Sequence, residues 1–89
     1  INADGILKDP IKSIKYYKQA VETNDVTKNQ RNLIKAKAMF ELGVIYYEEN
    51  TVKDYTESKY WINKAYESSD AITSKKAKVF WNKHKLWDY

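Results

Sequence analysis

Apolar positions recur along this chain at steps of three and four, the spacing that puts side chains on one face of a helix, and capping residues divide the pattern into four stretches. The first follows Asp9-Pro10, with Asp as N-cap and Pro at the first helical position, where its missing N–H costs nothing. Ile11, Ile14, Tyr17 and Val21 form its stripe, Tyr16 and Ala20 widen it, and Asn24-Asp25 ends it. The second stretch opens at Thr27-x-x-Gln30, which has the form of a capping box, and runs to about Glu49. Its apolar residues Leu33, Ile34, Ala38, Phe40, Leu42, Val44, Ile45 and Tyr46 cover well over half of the circumference, which predicts neighbours on two sides. Gly43 lies inside this helix at a cost of roughly 1 kcal/mol relative to Ala. It is either a tolerated defect or, as we expect, a point where a neighbour needs the missing Cβ. The third stretch is capped by Asp54 with Glu57 three residues on; Ser58, Trp61, Ile62 and Ala65 form its edge, and Ser68-Ser69-Asp70 breaks it. The fourth starts at Ala71 or Ser74 and reaches Trp87, with Ala77, Phe80, Trp81, His84 and Trp87 on one stripe. Every connection is short, so consecutive helices are expected to pack antiparallel.

Composition narrows the class. The 89 residues suit one small domain, and 43% hydrophobic with 31% charged residues is a globular balance. No run approaches the roughly 20 apolar residues that span a bilayer. The absence of cysteine excludes disulfides, thiolate metal sites and a cysteine nucleophile. Localisation is open between cytoplasm and periplasm. The 8 Tyr, 3 Trp and 2 Phe stand beside only 2 Gly and 1 Pro, which predicts long helices packed through large rings. The net charge of +4 is unevenly spread: Lys28, Arg31, Lys35 and Lys37, then Lys75, Lys76, Lys78, Lys83 and Lys85, form two basic stretches free of acid, and the remainder is acidic.

The chain also repeats itself. A shift of 45 residues lays Leu7-Lys8-Asp9 on Val52-Lys53-Asp54, Ser13 on Ser58, Tyr16 on Trp61, Ala20 on Ala65 and Glu22 on Glu67. A period in the range of roughly 20–50 residues is the mark of solenoid arrays, whose units bury their apolar faces against one another. In such packing Tyr16, Tyr46, Trp61 and Trp81 would dock against the small positions Ala20, Gly43 and Ala65. Tyr47, Tyr55, Tyr60, Tyr66, Trp87 and Tyr89 would be left as an exposed surplus, and Tyr and Trp are enriched at interface hot spots.

The run Ala38-x-x-x-Leu42-Gly43-x-x-Tyr46, a short loop, Val52-x-Asp54, then Trp61 and Lys64-Ala65, resembles a Sel-one-like repeat, an α/α relative of the tetratricopeptide repeats. Gly5, Asp9, Tyr16-Tyr17 and Gln19-Ala20 fit the second half of a preceding unit, and Ala77 and Trp81 the start of a following one. Departures from the family pattern are Asn50 in place of a loop Gly, Ser58 in place of Ala, Trp81-Asn82 in place of Leu-Gly, and a longer linker over residues 24–35. The resemblance implies an all-α fold of about four antiparallel helices in a short right-handed α/α solenoid. The chain would be a single domain, 1–89, with one full repeat over about 36–69 flanked by half-repeats. The resemblance further implies a non-catalytic module that binds another protein, with bacterial regulatory, secretion-linked and toxin-immunity proteins among the family's users. In that geometry the first helix of each unit lines the concave face, which places Lys37, Phe40, Glu41, Val44, Tyr47, Lys76, Phe80 and Lys83 nearest a partner. The first helix lacks its own unit's first half, so Ile11, Ile14 and Tyr17 would be uncovered and available for self-association.

The residues supply little for catalysis. His84 stands four residues before Asp88, a spacing that could orient a general base, but no nucleophile sits in a recognisable turn near it, and a packing histidine is expected. A single His with scattered carboxylates does not make a metal site. Glu48 and Glu49 project about 100° apart on a helix and form no dyad. Gly5 and Gly43 cannot build a phosphate loop, so no cofactor is expected. The rival reading is a basic nucleic-acid-binding domain that uses Lys75, Lys76, Lys78, Lys83 and Lys85 beside Phe80, Trp81 and Trp87. Against it stand the single Arg and the demand of the last helix for those same rings in packing. A basic amphipathic helix on a membrane fits the isolated segment less well once it is packed in a bundle.

Overall fold

The computed structural model describes residues 9–22 and 28–89, with side chains described for 9–22 and 33–89. Among the described residues there are four α-helices: α1 Pro10–Glu22, α2 Lys28–Glu48, α3 Tyr55–Tyr66 and α4 Ala71–His84, followed by a single 3-10 turn, Leu86–Asp88. Consecutive helices pack against one another, and α4 also touches α2. The fold is an all-α, tetratricopeptide-like solenoid. The expected ends at Asn24-Asp25 and the capping box at Thr27 lie outside the described residues.

The caps explain where the helices start. Asp9 Oδ1 accepts from the Lys12 N–H at 3.1 Å, and Asp54 Oδ1 accepts from the Glu57 N–H at 3.1 Å. Each side chain satisfies one of the orphan donors of a first turn. Asp70, expected only to break α3, does the same for α4: Oδ2 accepts from the Thr73 N–H at 3.1 Å and from the Thr73 hydroxyl. These two bonds hold its carboxyl below the usual carboxylate range. The cap selects Ala71 over Ser74 as the start of α4. Ser74 instead donates its hydroxyl to the Tyr66 carbonyl at 2.6 Å and ties α4 to the end of α3.

The core lies between α2, α3 and α4. Ile62, Ala65, Ala77, Phe80 and Leu86 form its buried cluster, with Met39, Phe40, Val44, Tyr47 and Trp81 packed around it. Ala36, Ala38 and Leu42 are buried along α2, which has α1 on one side and α3 on the other, as the width of its apolar stripe requires. Gly43 is the closest approach. A Cβ built there would fall on Cγ1 and Cδ1 of Ile62 and come within 3.1 Å of the Ile62 backbone nitrogen. One turn earlier on α3, Ser58 donates its buried hydroxyl to the Gly43 carbonyl at 2.7 Å. The Ser in place of the family's Ala thus adds a hydrogen bond at the tightest point of the interface.

Three expectations are corrected. Tyr16 does not dock against a small residue; it is 64% exposed. The side of α1 that is covered carries Ser13, Ile14, Tyr17, Ala20 and Val21. At about 100° per residue, Ile11 and Tyr16 lie to either side of that stripe, and among the described elements α1 has only α2 to pack against. The uncovered residues of α1 are therefore Ile11, at 67% exposure, and Tyr16, while Ile14 and Tyr17 are half-buried. The last helix stops at His84, short of Trp87, because Lys85 adopts the left-handed conformation at φ 51° and ψ 51°. That kink changes the phase of the chain, so Leu86 turns fully into the core and Trp87 turns outward.

Left-handed backbone favours glycine, since a Cβ there costs roughly 1–2 kcal/mol. Lys85→Gly is expected to raise the thermal midpoint slightly, by a net stabilisation of about 0.5–1 kcal/mol after the entropy of the freer unfolded chain is counted. Thermal unfolding followed by circular dichroism checks this, and a lowered midpoint would show that the turn is not left-handed.

Candidate protein-interaction face

Helical spacing brings Lys37, Phe40, Glu41, Val44, Tyr47 and Glu48 to one side of α2. The parallel stripe on α4 is Ile72, Lys75 or Lys76, Val79 and Lys83. Between them run two adjoining concavities that share Phe40 and Lys76. One, of about 440 Å³, is lined by Tyr17 of α1, Lys37, Phe40 and Glu41 of α2, and Ile72, Thr73 and Lys76 of α4. The other, of about 400 Å³, is lined by Phe40, Glu48, Lys75, Lys76, Val79, Phe80, Lys83 and His84.

The floor is aromatic. The Phe40 and Phe80 centroids are 6.0 Å apart with the rings nearly perpendicular, and Tyr47 meets Phe80 edge-on at 5.6 Å. Edge-to-face pairs of this kind are worth about 0.5–1.5 kcal/mol beyond their buried area. His84 packs against both, at 4.3 Å from Tyr47 and 4.4 Å from Phe80, so the single histidine is a packing residue. Tyr55 lies 5.0 Å from Tyr47, and Tyr89 lies 4.5 Å from Tyr55, which extends the ring cluster to the end of the chain.

The eight residues expected on the face fall into three groups. Lys37, Phe40, Glu41, Lys76 and Lys83 line the concavities with accessible surface, the lysines exposed and Phe40 and Glu41 half-buried. Phe80 lines one of them but is only 9% exposed and belongs to the core. Val44 and Tyr47 line neither and pack against the core cluster. Of the expected aromatic surplus Tyr60, Tyr66, Trp87 and Tyr89 are exposed and Tyr16 joins them, whereas Tyr47 and Tyr55 are half-buried in the ring cluster. Pattern reading did not place Tyr17, Glu48, Ile72, Thr73, Lys75, Val79 and His84 on these concavities. A signal was available for two of them: Ile72 and Val79 are apolar residues seven apart that do not belong to the core stripe of α4.

Glu41 is the electrostatic oddity of the face. Burial raises its pKa above the usual carboxylate value, Lys76 pulls it down in part, and Glu48 adds to the rise. Burial, with Glu41 and Tyr16 nearby, also pushes the Tyr17 phenol up. Burial and a hydrogen bond to Tyr89 push up Tyr47. Among the described residues there is no cluster of three metal-binding side chains, and no helix is long and apolar enough to cross a membrane.

Paired helices, a capping Asp at the same place in α1 and α3, and a glycine at the helix contact define an α/α-repeat protein. The Sel1 repeat family matches residues 2–25 and 36–70, and the chain belongs to that family. Sel1 repeats are generally protein–protein interaction modules. No curated protein matches the chain, and no solved structure does.

A raised carboxylate pKa means that the folded state disfavours the charged form. The cost of Glu41 is therefore absent at low pH and sets in as pH rises through the ordinary carboxylate range. The stability advantage of Glu41→Gln over the parent is expected to be near zero at low pH and to grow across that range. Urea unfolding of both proteins at several pH values measures it, and a constant difference would contradict the assignment.

Proposed function

We propose that the chain is a non-catalytic adaptor or immunity-type module that binds another protein through the α2–α4 face. The observation that carries this reading is the groove itself, open to solvent and lined by Lys37, Phe40, Glu41, Lys76 and Lys83 over an aromatic floor. Interfaces draw their energy from a few well-packed anchors ringed by polar groups, and Phe40 among lysines is such an arrangement. Partners in keeping with the family are a toxin or effector whose surface the module covers, or a component of a secretion or regulatory assembly. Self-association through Ile11 and Tyr16 of α1 is a separate use of a separate surface.

The nucleic-acid alternative has five exposed lysines on and just after α4 in its favour. Base stacking would need free ring faces, but Phe80 is buried and Trp81 packs on the core cluster. Trp87 alone of the three rings is exposed.

The test is capture of a partner from the native lysate with the wild-type chain, followed by affinity measurement against Lys37→Glu/Lys76→Glu/Lys83→Glu. All three lysines are exposed, so the variant is expected to keep its helical spectrum while binding falls at least ten-fold. Undiminished affinity would remove this face from the interaction.

A further inference from the structure

The groove has a definite chemical pattern. Along α4, Ile72 and Val79 are 68% and 59% exposed, two β-branched side chains on an open helix face separated by Lys75 and Lys76. Neither belongs to the core cluster, which α4 reaches through Ala77, Phe80 and Trp81 instead. Phe40 rises between them from α2 and borders both concavities. Seven residues of helix cover about 10 Å, so Ile72, Phe40 and Val79 make an apolar strip roughly two helical turns long.

The rim is cationic. Lys37 stands at one end and Lys75, Lys76 and Lys83 along the side, all exposed, and among the described residues none of them is held in an ion pair. The acids facing them are Glu41 and Glu48. Glu41 is half-buried, and Asp70, which lies near Lys37 and Lys76, has its carboxylate engaged by Thr73. The lysines are left with positive charge to spare around a strip that water covers unfavourably.

We propose that this groove takes an acidic amphipathic helix of a partner protein. Apolar residues at i, i+3 or i+4, and i+7 would lie on Ile72, Phe40 and Val79, with Asp or Glu on both flanks reaching Lys37, Lys75, Lys76 and Lys83. Helix-in-groove recognition uses this anchor spacing, and the stretch from Ile72 to Lys83 calls for about three helical turns. A nucleic acid would satisfy the lysines but would set its phosphates against Glu41 and Glu48 and leave the apolar strip without an apolar counterpart. The inference rests on the proposed binding face and adds the chemistry of its occupant.

Panning a phage library of random 14-residue peptides on the intact chain tests it, with every selected peptide then assayed on Lys75→Glu/Lys76→Glu/Lys83→Glu and on Ile72→Ala/Val79→Ala. All substituted residues are exposed, and circular dichroism confirms that both variants fold. The expected peptides are net acidic with apolar residues at helical spacing, and lose at least ten-fold in affinity on each variant. Peptides that lose affinity on both variants but are neutral or basic would overturn the acidic occupant and leave the face standing. Peptides indifferent to both variants, or no peptides at all, would overturn the inference, and the lysate capture decides the face independently. A 20-nucleotide single strand that binds the chain at low salt and is lost on the lysine variant would overturn it in favour of nucleic acid.

Discussion

The contact between Gly43 and Ile62 fixes the rest of the structure. With no Cβ at Gly43, α3 can bring its backbone and the Ile62 side chain against α2, and the Ser58 hydroxyl closes on the Gly43 carbonyl. That approach buries Leu42, Ser58, Ile62 and Ala65 completely. With α3 so placed, the small residues Ala65 and Ala77 let α4 settle against it. α4 then stands off from α2, and large rings, Phe40, Tyr47 and Phe80, span the gap. The groove is the part of that gap the rings do not fill. A tight α2–α3 contact and a loose α2–α4 one are thus two consequences of where the small residues sit.

Much of this was legible in the chain. Asp9 and Asp54 announce their helices because a capping carboxylate needs only the local backbone, and both caps form as read. The breadth of the α2 stripe foretold neighbours on both sides. Gly43, costly in a helix interior, pointed to a close approach. Where pattern reading failed, the deciding fact was not local. Tyr16 shares the register of Trp61, yet it is exposed because α1 has a neighbour on one side only among the described elements. Lys85 carries no mark of a left-handed residue, so the stripe seemed to run on to Trp87, and Leu86 was lost from the expected core. Asp70 read as a breaker of α3 when its side chain is the cap of α4; α3 already ends at Glu67, whose N–H turns back to the Asn63 and Ala65 carbonyls.

Of the candidate groove, register alone picked out Lys37, Phe40, Glu41, Lys76 and Lys83, all of which line it. It could not separate residues that line the groove from those that form its base, such as Val44 and Tyr47. That distinction depends on the distance between α2 and α4, which Phe40, Tyr47, Phe80 and His84 set. Ile72 and Val79 escaped notice for the opposite reason: they fit no core stripe, so in the sequence they read as noise. On the structure they are the apolar lip of the groove.

The measurement closest to the centre of this account is the thermal stability of Gly43→Ala. Helix propensity by itself favours Ala over Gly by roughly 1 kcal/mol, so a glycine that is merely tolerated would yield a higher midpoint on substitution. The contact with Ile62 predicts the reverse, because overpacking a close helix interface costs typically about 1–3 kcal/mol. A domain of this size shifts by roughly 4–8 °C per kcal/mol, and the account therefore predicts a midpoint lowered by several degrees. A midpoint equal to or above that of the parent would contradict it.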